Sequence, residues 1–415
     1  MLFFLRYLSP YWGPMRIFGS YLVLLCASAL VASVVVWRFL PRFFRRMPLD
    51  RGKVVTDART GAVVNTPDGG SSKGKPTGAG AWLLVLLLPL FLLFLPPSLP
   101  GVDKTTALSD VLRILSDIAS TPSKWLQFLN PQWAAVGCLF LAMVTGNADD
   151  RARVAWSRVK KGLLDAVVAL LAAAVLYYLG EEQCRTIWLP GTKHLFAVPW
   201  WLYIPGAAFL LWVSMNATNC TDGVDGLASS LSLSSLFILA GFLYGVVGHK
   251  EIAEYLLVPH NPEGARWGIL CAILAGGYAG YLWHNAYPSH VLMGDAGSRP
   301  LGLLVGIATL ASGNPLILLA VCPIVLVDGF TGLVKVTLIK ALNACGVNAS
   351  NPYLNDGRDN QPPCWLVRQI WRVRFPVHDH CRKALGWSPT QVVIRFMLLQ
   401  AFFVPVLFLL FLKVR

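Results

Sequence analysis

Residues 81–99 read AWLLVLLLPLFLLFLPPSL, nineteen positions without a charge. A helix that crosses a bilayer needs about 20 apolar residues, so this stretch alone predicts a membrane span. Working outward, comparable runs occupy about 19–38, 132–147, 163–180, 196–215, 227–247, 267–285, 300–313, 315–340 and 391–412. Continuous apolar runs, not short alternating ones, exclude a transmembrane barrel. The composition agrees: 55% of the 415 residues are hydrophobic and 13% are charged, where soluble domains carry roughly 25% charged residues. The expectation is an all-α integral membrane protein of about ten spans, forming one polytopic domain over residues 1–415 without an internal repeat. The first run leads into Arg38, Arg42, Arg45 and Arg46 and lacks a cleavage site, so it reads as a retained span. The nine cysteines form no CxxC pair and imply neither a disulfide framework nor a zinc site.

The net charge of +14 is informative once it is divided between the two sides. Ten spans with both termini on one side leave five loops on the other: 38–80, 146–162, 216–226, 286–299 and 340–389. These loops hold 22 of the 35 lysines and arginines. The positive-inside rule makes them cytoplasmic and both termini external. Because the basic residues follow topology, membrane lipid or an anionic substrate explains them and nucleic acid does not. Three segments between spans stand out. The Gly/Ser-rich 41–80 reads as a mobile cytoplasmic loop. The external loop 100–131 and the cytoplasmic loop 341–389 each carry an amphipathic stretch expected to lie at the interface.

Three acidic clusters fall in these cytoplasmic loops: Asp149-Asp150, Asn219 to Asp225 (NCTDGVD) and Asn285 to Asp295 (NAYPSHVLMGD). Carboxylates at membrane depth are expensive and mark functional sites. Asp149 and Asp150 point about 100° apart on a helix and read either as two tasks or as a solvated helix end. Asn219, Asp222 and Asp225 share one face if helical, beside Gly223 and Gly226; helix capping is the other reading. Ser298 is the expected N-cap of the eighth span, which sets Asp295 at a helix mouth. Mg²⁺ uses one or two carboxylates with phosphate oxygens and water, so such clusters suit a metal–phosphate site. Lys73, Lys75 and Thr77 in a Gly-rich stretch suit pyrophosphate or plain solvation. Lys160 and Lys161 suit phosphate or snorkelling to headgroups. The motif His378-Asp379-His380 suits phosphate or sugar contact more than metal.

Together these residues resemble the polyprenyl-phosphate N-acetylhexosamine-1-phosphate transferases, and most closely the muramoyl-pentapeptide branch. The matching segments are Asn216-Ala217 with Asn219 to Ala228, Asn285 with Met293 to Ser298, Asp149-Asp150, Gly74 to Gly80, and Phe375 to Phe396. Departures from the family pattern are Asp379, Cys381, Lys75, Leu292, Asp328 and Lys335. The resemblance implies transfer of phospho-N-acetylmuramoyl-pentapeptide from UDP to undecaprenyl phosphate, giving lipid I and UMP. It also implies Mg²⁺ dependence, a homodimer and the bacterial inner membrane. By the same resemblance Asp149, Asp150, Asp295 and His378 are catalytic, and Asp295, Asp150 and Asp222 hold the metal. Lys73, Thr77, Lys161, Asn219, Asp222, Asp225, Asn285, Leu292 and His380 would bind substrate. A sister transferase acting on UDP-N-acetylglucosamine is the alternative, and an ion-coupled transporter a remote one, since the carboxylates sit at span ends and not at the midplane.

Overall fold

The computed structural model describes residues 2–50, 54–56, 63–65, 74–96, 130–152, 156–180, 185–188, 195–347, 349 and 365–413, with isolated positions between 109 and 120. Its long helices are α1 (Tyr21–Phe39), α2 (Ala79–Phe94), α3 (Pro131–Arg151), α4 (Arg158–Leu179), α5 (Trp200–Thr221), α6 (Leu227–Phe242), α7 (Gly264–Asn285), α8 (Asp295–Ala311), α9 (Thr331–Ala344) and α10 (Pro389–Lys413). Among the described residues, four helical stretches are long and apolar enough to cross a membrane: Tyr21–Arg46, Val159–Leu179, Leu227–Val247 and Pro389–Leu412. The protein is therefore a mostly helical membrane protein. α8 and α7 form its centre, buried along nearly their whole lengths.

Glycines bring these helices to backbone contact, which is how helices pack where lipid supplies no hydrophobic drive. On α7, Gly276 and Gly280 lie against the carbonyls of Ala29 and Ser33 on α1. At the opposite face of the core, Gly80 at the start of α2 abuts Gly297 of α8, and Gly146 of α3 abuts the carbonyl of Asp295. Gly302 of α8 packs on Ser214 of α5, whose hydroxyl donates to the Gly302 carbonyl at 2.6 Å. Three helix ends thus meet at one point, and that point carries the acidic residues.

Several boundaries differ from expectation for local reasons. α8 starts at Asp295, five residues before the apolar run, because Gly294 adopts a φ of 71° and begins the helix. Ser298 is consequently not the N-cap; it lies inside the first turn and donates to the Gly294 carbonyl at 3.1 Å. α4 likewise starts early: Ser157 caps the Lys160 amide at 3.3 Å, so Lys160 and Lys161 are helical. α5 ends at Thr221, so Asn219, Asp222 and Asp225 do not share a helical face; Asp222 is the C-cap and Asp225 lies in the following turn. The expected span 315–340 is broken into Ile317–Val321, Pro323–Val325, a wide turn Leu326–Phe330 and α9, with the break at Pro323. Within the wide turn Gly329 sits on Ala217 and Asp328 is buried, while Val327 is exposed.

The loops divide similarly. Within 41–80, strands β1 (Val54–Thr56) and β2 (Val63–Asn65) pair antiparallel, and the loop ends are pinned where Thr77 donates to Pro48 at 2.9 Å and Asp50 to Lys75 at 2.8 Å. The expected interfacial helix of 341–389 is the short helix Trp365–Arg372, with Trp365 exposed and Val367 buried. The stretch 100–131, expected to be external, lies outside the described residues apart from a few positions, and so does Lys73. At the other end of the bundle a second hairpin, β3 (Thr186–Trp188) with β4 (Leu195–Ala197), is anchored by Trp188, which donates to the Ser312 and Gly313 carbonyls.

The glycine contacts give a direct expectation. In Gly146→Ala the new methyl falls on the backbone of Asp295 and Ala296, which cannot yield as a side chain could. Overpacking of this kind lowers stability by about 1–3 kcal/mol. Gly137→Ala, one helix face away with open space around it, should be neutral or slightly stabilising. Thermal denaturation in detergent, followed by the monodisperse fraction, distinguishes the two.

Candidate active site

The site forms where α3 ends and α8 begins. Asp150 turns its carboxylate onto the first turn of α8: Oδ1 accepts the Asp295 amide and Oδ2 the Ala296 amide, both at 3.0 Å. These amides have no partner within their own helix, and a carboxylate suits the positive end of the helix dipole. The neighbouring Asp149 points elsewhere, as expected for adjacent helical positions. Its Oδ1 accepts the Trp156 amide at 3.2 Å and its Oδ2 meets the Lys161 ammonium and, at 3.6 Å, Arg299.

Asp295 faces the same centre. Its Oδ1 accepts from Asn219 at 2.9 Å, and its Oδ2 accepts from Arg299 at 2.7 Å and Lys161 at 3.1 Å. Lys161 therefore sits between the carboxylates of Asp149 and Asp295, which come from different helices. Arg299 continues to Asp165 of α4 at 3.0 Å. Burial, with Asp295 close by, raises Asp149 above the usual carboxylate range. Burial and the Asp295 charge push Asp150 up to about 7, against the two amides that favour its ionised form.

A second cluster ties the loops above this centre. Asp225 accepts the Ser289 amide at 3.1 Å and pairs with Lys75 at 3.3 Å, and Lys75 also donates to the Ser289 hydroxyl at 2.9 Å. Asn285 is buried; its Oδ1 accepts the Gly226 amide and its Nδ2 donates to the Val291 carbonyl, both at 2.9 Å. Leu292 engages the glycine-rich segment through its backbone, donating to Pro76 at 2.8 Å and accepting from Ala79 at 3.2 Å. The 74–80 segment thereby docks on the segment that leads into Asp295.

The short helix Val377–Lys383 delivers the histidines. Asp328, from the wide turn before α9, accepts both the His378 amide and Nδ1, each at 2.8 Å. That fixes the ring and leaves Nε2, which stands directly over Gly223 of the 219–226 turn. Any side chain at 223 would collide with the ring. His380 points back to its own segment, where its Nδ1 accepts the Arg374 amide at 3.4 Å.

The structure thus brings Asp149, Asp150, Lys161, Asn219 and Asp295 together, and adds Asp225, Asn285 and His378 through the adjoining turns. It does not gather Asp295, Asp150 and Asp222 as one ligand set: among the described residues no three His, Cys, Asp or Glu side chains form a metal cluster. Asp150 is committed to helix amides and Asp222 closes α5. Asp149 and Asp295, which already share one cation, fit Mg²⁺, an ion that needs only one or two carboxylates beside phosphate and water. Arg299, Asp165 and Asp328 were not singled out for the site from sequence. Arg299 and Asp165 carry a usable signal, standing one helical turn after Asp295 and Lys161 respectively.

The sequence has known relatives. Residues 132–313 match the Glycosyl transferase family 4 description. The chain is similar to the phospho-N-acetylmuramoyl-pentapeptide-transferase of Treponema pallidum (strain Nichols), 36% identical over 400 residues that cover 96% of this chain and 93% of that one. The protein of the same name from Campylobacter jejuni (strain RM1221) is 30% identical over 275 residues, 63% of this chain and 69% of its own. That from Opitutus terrae is 27% identical over 414 residues, 96% of each chain.

The Asp150 contacts make a test that is independent of catalysis. Asp150→Ala leaves the Asp295 and Ala296 amides without acceptors, and loss of such a cap destabilises by about 0.5–2 kcal/mol. Hydrogen exchange by mass spectrometry should show faster exchange in a peptide spanning 293–299 and little change in α6. Asp150→Asn, which keeps one carbonyl acceptor, should fall between the two.

Proposed function

Since the chain belongs to the phospho-N-acetylmuramoyl-pentapeptide-transferase family, we propose a division of labour at this site for that family's reaction. The enzyme transfers phospho-N-acetylmuramoyl-pentapeptide from its UDP carrier to a polyprenyl phosphate, in peptidoglycan synthesis. The acceptor is undecaprenyl phosphate, and the products are lipid I and UMP. One observation carries the assignment of the centre: carboxylates from two helices, Asp149 and Asp295, close on a single ammonium at the helix ends. An arrangement that holds one cation between two carboxylates is suited to a charged phosphoryl group and its counter-ion.

An oxygen of the lipid phosphate attacks the sugar-linked phosphorus of the UDP-sugar. A new P–O bond forms, the P–O bond to the α-phosphate breaks, and UMP leaves with the bridging oxygen. Such transfers depend on positioning and charge neutralisation more than on covalent help. Mg²⁺, when bound, would neutralise the pyrophosphate oxygens, with Asp295 and Asp149 as its protein ligands. Asp149 is already engaged by Lys161, Arg299 and the Trp156 amide. Lys161, a quarter exposed, has the freedom to follow a phosphate. Asp150 acts through α8, whose first turn it holds. Asn219 orients Asp295, while Asp222, Asp225 and Lys75 frame the uridine-sugar side.

His378 has the geometry of an oriented donor or acceptor. With Nδ1 bound to the buried Asp328, the other ring nitrogen faces the 219–226 turn. A histidine fixed through one nitrogen offers the second in a defined tautomer, here toward sugar or phosphate. Thr77, in the glycine-rich segment that docks on the chain leading into Asp295, adds a substrate contact. Support for a cytoplasmic site comes from the lysine and arginine bias of the loops that bear it, in a ten-span arrangement with external termini in the bacterial inner membrane.

Purified protein in detergent, given undecaprenyl phosphate and Mg²⁺, should release UMP from UDP-N-acetylmuramoyl-pentapeptide and not from UDP-N-acetylglucosamine, and EDTA should abolish release. UMP from the second sugar alone would assign the sister activity. Asp295→Asn should lower turnover by well over tenfold, about 1.4 kcal/mol of barrier or more. Asp328→Asn should lower kcat by about 10²-fold or more with little change in KM, on the scale of a general acid–base group's contribution. Rates within twofold of wild type would remove His378 from the chemistry.

A further inference from the structure

We propose that Arg299, held from behind by Asp165, is a positioning residue that fixes the Asp295 carboxylate, leaving Lys161 as the cation that moves during the reaction. The inference rests on the transferase reading above. Its basis is a contrast between the two cations of the centre. Arg299 is 2% exposed and lies one turn below Asp295 on the same helix. Its guanidinium places one nitrogen on Asp295 at 2.7 Å and the other on Asp165 at 3.0 Å. A planar fork that bridges two carboxylates is a directional clamp, which a lysine cannot reproduce.

Asp165 has no part in the reaction described above. It is buried, on α4, one turn from Lys161. A buried carboxylate facing a buried guanidinium needs its partner, since removal of one leaves the other charge uncompensated. The pair thus anchors α8 to α4 and sets the angle from which Asp295 is held. The other oxygen of Asp295 is held by Asn219. Asp295 is therefore gripped on both sides from helices α5 and α8. Lys161 differs: it is partly exposed, ends a flexible stem, and meets Asp149 more closely than Arg299 does, whose nearest nitrogen stands 3.6 Å away. Charge is shared by the two cations; fixing is done by one of them.

The test uses a charge-neutral replacement of the pair, Arg299→Met with Asp165→Asn, in the full-length protein in detergent. Folding is checked by a monodisperse elution profile. Mn²⁺ binding is measured by electron paramagnetic resonance without substrate, and kcat and KM separately with both substrates. Loss of a residue that orients a metal-binding carboxylate typically weakens metal affinity or activity by 10–100-fold. The double variant should bind Mn²⁺ at least tenfold more weakly and lose at least tenfold in kcat, with KM for the UDP-sugar within threefold of wild type. Arg299→Lys keeps the charge without the fork and should lose at least fivefold in Mn²⁺ affinity; full retention would show that charge alone suffices and overturn the proposal. A folded double variant with wild-type Mn²⁺ affinity and kcat would reduce the pair to a helix tie and overturn it likewise. Wild-type protein that turns over but binds no Mn²⁺ would remove the metal assignment and this inference with it, while leaving the transfer activity standing.

Discussion

The arrangement depends on two hydrogen bonds, those from the Asp295 and Ala296 amides to the Asp150 carboxylate. They join the end of α3 to the beginning of α8. The adjacent residue on each helix, Asp149 on one and Asp295 on the other, then faces a common space. The bonds require close approach, and the glycines at 80, 146 and 297 allow it because a Cβ at any of them would fall within 3 Å of a neighbouring atom. Helix polarity, small residues and a capping carboxylate are each ordinary; their coincidence at one point makes a site.

Placing carboxylates there creates an electrostatic difficulty that the structure resolves locally. Asp149, Asp165 and Asp295 are all buried, beside the capped Asp150. Lys161 and Arg299 supply two positive charges, fewer than the four carboxylates present. Burial first, and the nearby Asp295 second, raises Asp149 and Asp150 above the usual carboxylate range, and the excess negative charge makes the centre receptive to a divalent cation. A second counter-charge, that of the anionic substrate, needs basic groups that can rearrange, and Lys75 and Lys161 at the rim are both partly exposed.

Much of this was legible in the chain. Apolar runs located the helices, and the three acidic clusters, found at their ends, do converge. What sequence did not reveal has identifiable causes. The starts of α4 and α8 differ from expectation because their first turns, 158–162 and 295–299, interrupt the apolar pattern: the first is largely exposed, and the second is buried with Asp295 and Arg299 paired. The Asn219 to Asp225 periodicity suggested a helical face, but the chain leaves the helix at Asp222. Arg299 and Asp165 were overlooked since each looks like a boundary charge until the other is seen opposite it. The role of Asp150 was ambiguous because a carboxylate that caps a foreign helix and one that binds a metal have the same local sequence. The broken ninth span, with Asp328 in its wide turn, was hidden in an otherwise apolar run.

The position of His378 also bears on biosynthesis. Ribosomes deliver the chain from its amino end, and domains organise as they emerge. The aspartate centre is complete once α8 has been made, since Asp149, Asp150, Lys161, Asn219 and Asp295 all precede residue 300. The Asp328 of the wide turn before α9 comes later, and the histidine that it orients over Gly223 later still, from a segment that follows α9. A nascent chain therefore possesses a charged, structurally closed centre well before it possesses the ring that overlooks it. Translation order therefore makes the aspartate centre before the ring that overlooks it.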